Sequence, residues 1–446
     1  METENFMQNF IPIKQFHSVH VLMSGLFMLI CSAVTVGCGA SDGFRPIDDS
    51  SAVFWDRQTV ESANLLREIS DEFNAIYTGL PIKVERSGNY TEIFRKVSAS
   101  IRARSLPAMA VAYESMTSEY IPTGAVVPLD AFIYHPELGL SQDDLDDIFP
   151  AVLQTNRFDE FEGKMYSFPF AKSVLMLYFN RRVLDDADIV APPKTWDEFL
   201  RQSRQIKQQT GKYALAMNVD CSTIDGLIFS MGGEVIAGRE TLFDSPASIG
   251  VFELIETMVK EELVYQITPG TYDDEVALVN DQVAFTLRSS SGLSNVMLAM
   301  DNDKSRWGLA HIPQVNIDSP ATVLYGPNVI IFNTTHEQQE AAWEFIKYFT
   351  DTDVGVRWAL GTGYLPIRKS AISHPDLQAH WADWEYNRAA YDSLVFAKPE
   401  PNVAGWQQVR SLVENAQTEV LTGMKSGRQA AIDLKQSADR ALAQHR

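Results

Sequence analysis

Between residues 165 and 200 the chain reads MYSFPFAKSVLMLYFNRRVLDDADIVAPPKTWDEFL, and no other stretch limits the possible folds as tightly. Its centre, VLMLYF over 174–179, is a continuous apolar run with no polar face to turn to solvent. A run this short, rich in aromatics and bounded by Pro169 and by Asn180, Arg181 and Arg182, predicts a buried strand. Downstream, Thr195 is placed as an N-cap and Glu198 follows three residues later, a capping box that opens a helix. Strand, loop and capped helix make an α/β unit.

The rest of the chain repeats that alternation. Residues 51–55 read as a strand and 59–77 as a helix with Leu65, Leu66, Ile69, Phe73 and Ile76 on one face. A strand over 81–85 leads to a helix over 90–104, and 106–114 is a buried strand whose end exposes Tyr113 and Glu114. A strand over 126–129 and an acidic helix near Ser141 follow. Beyond the central stretch the pattern predicts helices over 195–209, 222–231 and 245–260, with a strand over 213–217. Residues 273–279 lead into a strand over 283–287, a turn over 289–292 and a helix from Leu293. A strand over 307–312, a glycine-interrupted strand over 325–332 and a helix over 335–349 come next. Residues 361–369 are irregular, and the rest is helical, notably 406–422 and 427–444. At 446 residues two domains are expected, each a mainly parallel sheet with helices on both faces. Such sheets bind ligands at the carboxyl ends of their strands, where Tyr90 and Glu114 fall.

The N-terminus reads as an export signal rather than fold. Lys14 supplies the leading charge, 19–36 is almost wholly apolar, and small residues follow at 37–40. Residues 1–37 are therefore a signal peptide and 38–50 a tether. Val36, Gly37 and Cys38 resemble a bacterial lipobox, which would make Cys38 a lipidated N-terminus. Thr35 stands where that pattern prefers Leu, so cleavage after Ala40 is the alternative. Cys31 lies in the signal, leaving Cys221 as the one thiol of the body, with no disulfide framework. No His lies near Cys221, which is read as a small apolar packing residue.

Charge and motif content narrow the function. The formal net charge is −21, and −20 without residues 1–37. Phosphate-backbone binding needs Lys and Arg clusters, so nucleic acid is not a partner. The sequence contains no HExxH, GxSxG, Walker loop or CxxC pair, and the acidic segments at 143–147 and 301–303 lack the Gly and Glu of an EF-hand. Abundant Asp and Glu leave a glycosidase-type carboxylate pair as the enzymatic rival. The reading is a non-enzyme without cofactor or metal.

The wording of several segments is also familiar. PF at 169–170, Ser173, LYFN at 177–180 and PPKTWDE at 192–198 resemble the first lobe-to-lobe crossing of the family 1 extracellular solute-binding proteins of ABC importers. VAFT at 283–286, EAAWEFI at 340–346 and GYLPIRKSA at 363–371 are similar to further motifs of that family, in the same order. Gly88, Asn89 and Tyr90, with Tyr113, Glu114, Ser289 and Ser290, come closest to its glycerol-3-phosphate-binding branch. The resemblance implies a two-lobed periplasmic-binding-protein fold with three hinge crossings, near Ala171, Tyr325 and Pro366. Lobe one would hold 51–171 and 326–365, and lobe two 172–325 and 366–446. It also implies an exported monomer, in the periplasm or lipid-anchored at the outer face of the cytoplasmic membrane. Such a chain hands a carbohydrate or polyol to ABC permease subunits; a membrane sensor is the alternative partner.

A sugar or polyol needs planar hydrogen-bonding groups for its hydroxyls and an aromatic face for its C–H surface. Glu114 is read as an acceptor for two hydroxyls and Tyr90 as a stacking or donating ring. Ser289 and Ser290 sit where a strand meets a helix N-terminus, where hydroxyls and free N–H groups converge. Tyr325, Gly326 and Tyr364 fall on the presumed hinges, and Gly326 lets backbone approach closely. By resemblance, Tyr90, Glu114, Ser290, Gly326 and Tyr364 match that branch's ligand contacts. Two departures stand out. Asp220 and Thr223 replace a tryptophan pair, and Asn402 falls in place of a phosphate-binding Arg, with Arg410 further along. Asp220 suits hydroxyls and opposes a phosphate, so an uncharged saccharide or glycosyl-polyol fits at least as well as glycerol 3-phosphate or a glycerophosphodiester.

Overall fold

The computed structural model describes residues 43–58, 60–268 and 271–445; the expected signal peptide, Cys31 and Cys38 lie outside the described residues. The expected tether ends sooner than residue 50. Phe44 is buried, and Arg45–Pro46 pairs in parallel with Ser105–Leu106, so the chain is already part of the fold there.

Two sheets carry the architecture. The five-stranded sheet runs in the order Ile82–Arg86, Ala52–Asp56, Met109–Ala112, Asn328–Ile331, Phe168–Pro169. The seven-stranded sheet runs Val264–Tyr265, Tyr213–Met217, Val283–Ser289, Ser173–Asn180, Thr322–Tyr325, Ala397–Pro399, with Trp307–His311 also paired to Ser173–Asn180. Helices flank both.

The central strand forms as its composition requires. All of Ser173–Asn180 is buried. Because side chains alternate, Val174, Met176 and Tyr178 enter one apolar cluster, and Leu175, Leu177 and Phe179 enter the other. Each such burial is worth roughly 1.5–3 kcal/mol, so this one strand ties two cores together. Downstream, Thr195 Oγ1 accepts from Glu198 N at 3.2 Å, starting Trp196–Thr210. The Glu198 carboxylate reaches one residue further back than a capping box, to Lys194 N at 2.8 Å.

Both sheets are mainly parallel, as expected, with one strand reversed in each. Ala52–Asp56 pairs in parallel with Ile82–Arg86 and Met109–Ala112, and Tyr213–Met217 with Val264–Tyr265 and Val283–Ser289. Every antiparallel pairing between strands of the two sheets involves Ser173–Asn180 or Asn328–Ile331. Those two strands have just arrived from the other sheet. A strand that enters directly, without a helical crossover, is not bound to run with its neighbours.

The span 325–332 is not one interrupted strand. Thr322–Tyr325 belongs to the larger sheet and Asn328–Ile331 to the smaller, with Gly326 between them at φ +101°. The expected strand over 126–129 is a single bridge, Val126 to Phe332. Residues 106–114 divide into Ser105–Leu106, Met109–Ala112 and the start of the helix Glu114–Tyr120. The helix Thr352–Thr362 has no counterpart in the sequence reading.

The passages between sheets are packed against one another. A Cβ on Gly326 would lie 1.9 Å from the Ala171 carbonyl oxygen. Lys172 Nζ donates to the Gly326 carbonyl at 3.1 Å and pairs with Glu114 Oε1 at 3.3 Å. Asn328 Nδ2 donates to the same Glu114 oxygen at 2.8 Å, and Leu365 N donates to Lys172 O at 2.7 Å. The Lys172 and Glu114 side chains are buried, and desolvation lowers the Lys172 pKa.

Two predictions follow from this packing. Gly326→Ala destabilises the chain by several kcal/mol in chemical denaturation, because strain at positive φ adds to the backbone clash. Gly238→Ala, at φ +61° with open space around its Cβ, costs only the backbone term of about 1–2 kcal/mol. Lys172→Met and Glu114→Gln each cost about 3–5 kcal/mol, because each strands a buried partner. The double variant recovers part of that loss, which a double-mutant cycle reads directly.

Candidate functional site

A cavity of about 660 Å³ lies against the carboxyl ends of parallel strands from both sheets. From the smaller sheet, Ala52–Asp56 ends at Arg57 and Gln58, and Met109–Ala112 ends at Tyr113. Asn89 caps the helix Tyr90–Arg102: its side chain accepts from Glu92 N at 3.0 Å while Glu92 accepts from Asn89 N at 2.7 Å. That places Tyr90 on the first turn, its ring 4.0 Å from that of Tyr113. From the larger sheet, Tyr213–Met217 leads to Asn218 and Asp220. Asp220 Oδ2 accepts from Thr223 N and Oγ1, both at 2.9 Å, and so caps the helix Cys221–Ser230. Val283–Ser289 ends at Ser289, whose Oγ is 2.8 Å from Ser173 Oγ. The passages add Tyr325, Gly326, Thr362 and Tyr364.

The lining is rich in phenols and hydroxyls. Tyr325 Oη is 3.1 Å from Thr223 Oγ1 and 3.5 Å from Asp220 Oδ2. Burial pushes the Tyr90, Tyr113 and Tyr325 phenols up, so all three stay protonated at neutral pH. Charged side chains are mostly committed elsewhere. Arg288 is held by Asp274 Oδ2 at 2.7 Å and Glu275 Oε2 at 2.9 Å. Arg410 lies 5.0 Å from the centre of the Tyr113 ring and pairs with Glu400, with Asp220 Oδ1 at 3.7 Å.

The structure brings Tyr90, Asp220, Ser289, Tyr325, Gly326 and Tyr364 to one cavity. Glu114, Ser290 and Asn402 do not line it. Glu114 opens a helix instead of ending a strand, and its carboxylate is taken by Lys172 and Asn328. Ser290 Oγ accepts from Val174 N at 3.2 Å. Asn402 turns to the Arg157 carbonyl, and its own carbonyl accepts from Ser118 Oγ at 2.6 Å. Arg57, Gln58, Tyr272 and Ser291 line the cavity without having been singled out in the sequence. Arg57 and Gln58 directly follow the first strand, so the carboxyl-end rule applied there would have found them.

Behind the cavity wall the donor atoms of Cys221, Asp225 and Glu400 lie within 4.8 Å of one another. Burial pushes the Cys221 thiol up and Glu400 to about 7, and Arg410 already pairs with Glu400. Cys221 is fully buried and packs among apolar residues, as its sequence context suggested.

Asp56 is buried at the same strand end, and desolvation raises it from 3.8 to about 6, against Gln58 N and the Arg57 charge. The protonated form is therefore favoured in the fold. Its contribution is fully present below pH about 3.8 and lost as pH rises through about 6. Asp56→Asn cannot ionise. Its stability relative to the parent should rise by about 3 kcal/mol between pH 4 and pH 7 in denaturant titrations.

Comparison with known proteins gives the same architecture. Residues 68–385 match the family model described as bacterial extracellular solute-binding protein. The sn-glycerol-3-phosphate-binding periplasmic protein UgpB of Brucella suis is 22% identical over 434 residues, spanning 91% of this chain and 96% of its own. UgpB from Mycobacterium tuberculosis, solved with glycerophosphocholine, superimposes with a TM-score of 0.78 at 18% identity, over 89% of this chain and 100% of its own. The cyclic alpha-maltosyl-1,6-maltose binding protein from Arthrobacter globiformis gives 0.75 at 19% identity, over 88% of this chain and 98% of its own. With a family model spanning most of the chain, a two-lobed fold and a cavity between its sheets, this chain belongs to the bacterial extracellular solute-binding proteins.

Proposed function

We propose that this protein captures a sugar or sugar-like polyol in the cavity between its sheets and delivers it to an ABC permease. The supporting observation is the lining itself: Tyr90, Tyr113, Tyr325 and Tyr364 supply ring faces and hydroxyl donors, and Asp220 with Ser289 and Thr223 supplies acceptors. A carbohydrate presents both C–H faces and hydroxyls, and a space of about 660 Å³ suits a small oligosaccharide. The maltosyl-maltose binding relative points the same way. Glycerol 3-phosphate or a glycerophosphodiester is the second reading, favoured by the UgpB relatives. In either case the protein binds and releases its ligand unchanged. It is exported as a monomer and anchored through Cys38.

The lobes in this reading follow the sheet passages at 170–172 and 326–327. The third passage in this reading lies near Pro366, where Arg368 and Ser370 bond to Asp144 and Asp147. Closure about these passages is driven by the ligand's differential affinity for the closed form.

The test is a thermal-shift and calorimetric screen of the mature chain against saccharides, polyols and glycerol phosphates, with Asp220→Ala and Tyr364→Ala in parallel. At least one compound should raise the melting temperature in proportion to the logarithm of its excess. Each variant should weaken that compound by about tenfold or more, the loss of one charge-assisted hydrogen bond or one ring face. No shift from any polyol would sink the reading.

A further inference from the structure

The loop that ends the first strand is unlike the rest of the lining. Three consecutive residues there each bury a polar atom with no hydrogen-bond partner: Asp56 Oδ1, Arg57 Nε and Gln58 Nε2. Buried polar groups in folded proteins are almost always satisfied, so the two donors among them at the cavity wall, Arg57 Nε and Gln58 Nε2, mark a place where an acceptor is meant to sit; Asp56 does not line the cavity. Arg57 and Gln58 line the cavity, and Gln58 is only 5% exposed.

Arg57 is also the cavity cation without an ion pair, although the adjacent Asp56 carboxylate acts on its charge. Lys172, Arg288 and Arg410 each hold a carboxylate within ion-pair distance. Among the described residues the Arg57 guanidinium has no such partner; its contacts are the Tyr90 ring, 4.7 Å from its carbon, and the Tyr364 hydroxyl at 3.4 Å. The neighbouring Asp56 is turned to Gln58 N at 2.6 Å. A guanidinium presents five donors in a fixed fork, which matches a planar or tetrahedral oxyanion. Held against Tyr90 and away from bulk water, it gains most from an opposite charge. Gln58 Nε2 and the Tyr364 hydroxyl add donors beside it. Of the two carboxylates of the lining, Asp220 belongs to the other sheet's strand ends, and Glu61, on the first turn of the helix Val60–Ile76, makes no ion pair with Arg57.

We propose that Arg57 and Gln58 form an oxyanion subsite, so that the solute carries a carboxylate, sulfate or phosphate at one end and hydroxyls at the other. This rests on the cavity being the solute site, as proposed above. It places anion recognition on the first strand's loop rather than at Asn402, which faces away. Arg57 acts as the specificity-determining residue, and Asp220 excludes a second anionic group.

The experiment is calorimetry on the mature chain with matched ligands: glucose, glucuronate, glucose 6-sulfate and glucose 6-phosphate, the same galactose series, and glycerol with glycerol 3-phosphate. Inorganic sulfate and phosphate are tested alone by thermal shift. The expected result is one anionic member bound at least tenfold more tightly than its neutral partner. Arg57→Gln should weaken the anionic member at least tenfold more than its neutral partner, abolishing that preference. Arg57→Lys, which keeps the charge and loses the fork, should retain part of it and covers the case in which the Gln variant does not fold. The three anionic arms separate carboxylate, sulfate and phosphate ligands. Equal binding of neutral and anionic partners, or an equal loss of both in Arg57→Gln, overturns the subsite and leaves the polyol reading standing. Arg57-dependent stabilisation by sulfate or phosphate with no polyol bound supports the subsite and removes the polyol reading. No effect from any ligand or ion overturns both.

Discussion

The buried pair between Lys172 and Glu114 holds together everything that shapes the cavity. Lys172 sits on the first passage between sheets, Glu114 opens a helix behind the smaller sheet, and Asn328 and Gly326 belong to the return passage. An ion pair this deep repays its desolvation only when its remaining atoms are also satisfied. Here they are: the ammonium has a carbonyl, the carboxylate has an amide, and Leu365 N bonds to the Lys172 carbonyl. One charged pair thus fixes three strands of chain relative to one another. Gly326 allows the approach, since any side chain there would meet Ala171.

The crossings also explain the sheet pattern. Strands joined by helical connections run parallel, and their carboxyl ends converge on the cavity. The two strands that enter straight from the other sheet run against their neighbours. They bring Tyr325, Gly326 and Ser173 to the floor of the cavity rather than to its walls. Walls from two separate sheets and a floor from the shared passages are what a closing cleft needs, and bending at the floor changes the distance between walls.

Charge within the cavity departs from charge on the surface. The chain is strongly acidic at −21, yet the cavity wall at the smaller sheet carries a guanidinium, Arg57, with no ion-pair partner. The neighbouring Cys221, Asp225, Glu400 and Arg410 network lies behind the opposite wall, where Ser222 Oγ donates to Glu400 at 3.0 Å and accepts from Arg410 at 3.1 Å. That network holds the N-terminus of the helix Cys221–Ser230, and with it Asp220, in place.

The sequence by itself determined the elements and their order. The run over 174–179 was legible as a buried strand because six apolar residues leave no solvent face, and the helix start at Thr195 was legible because Thr195 places an acceptor at the right offset. Tyr90 could be placed at the site because a strand end is a local feature, whereas Tyr325, Gly326 and Tyr364 were placed by the hinges that the family resemblance implies. What a side chain faces is not local. Glu114 has the same identity whether it meets a ligand or Lys172, and only the packing of the passages made it a structural carboxylate. Asn402 and Ser290 were drawn to backbone partners by contacts far away in sequence. Arg57 follows the first strand in plain view, but its lack of an ion-pair partner is a property of the assembled wall. Local propensity and periodicity act over a few residues, whereas desolvation and charge pairing are decided by which distant groups the tertiary structure brings within a few ångströms.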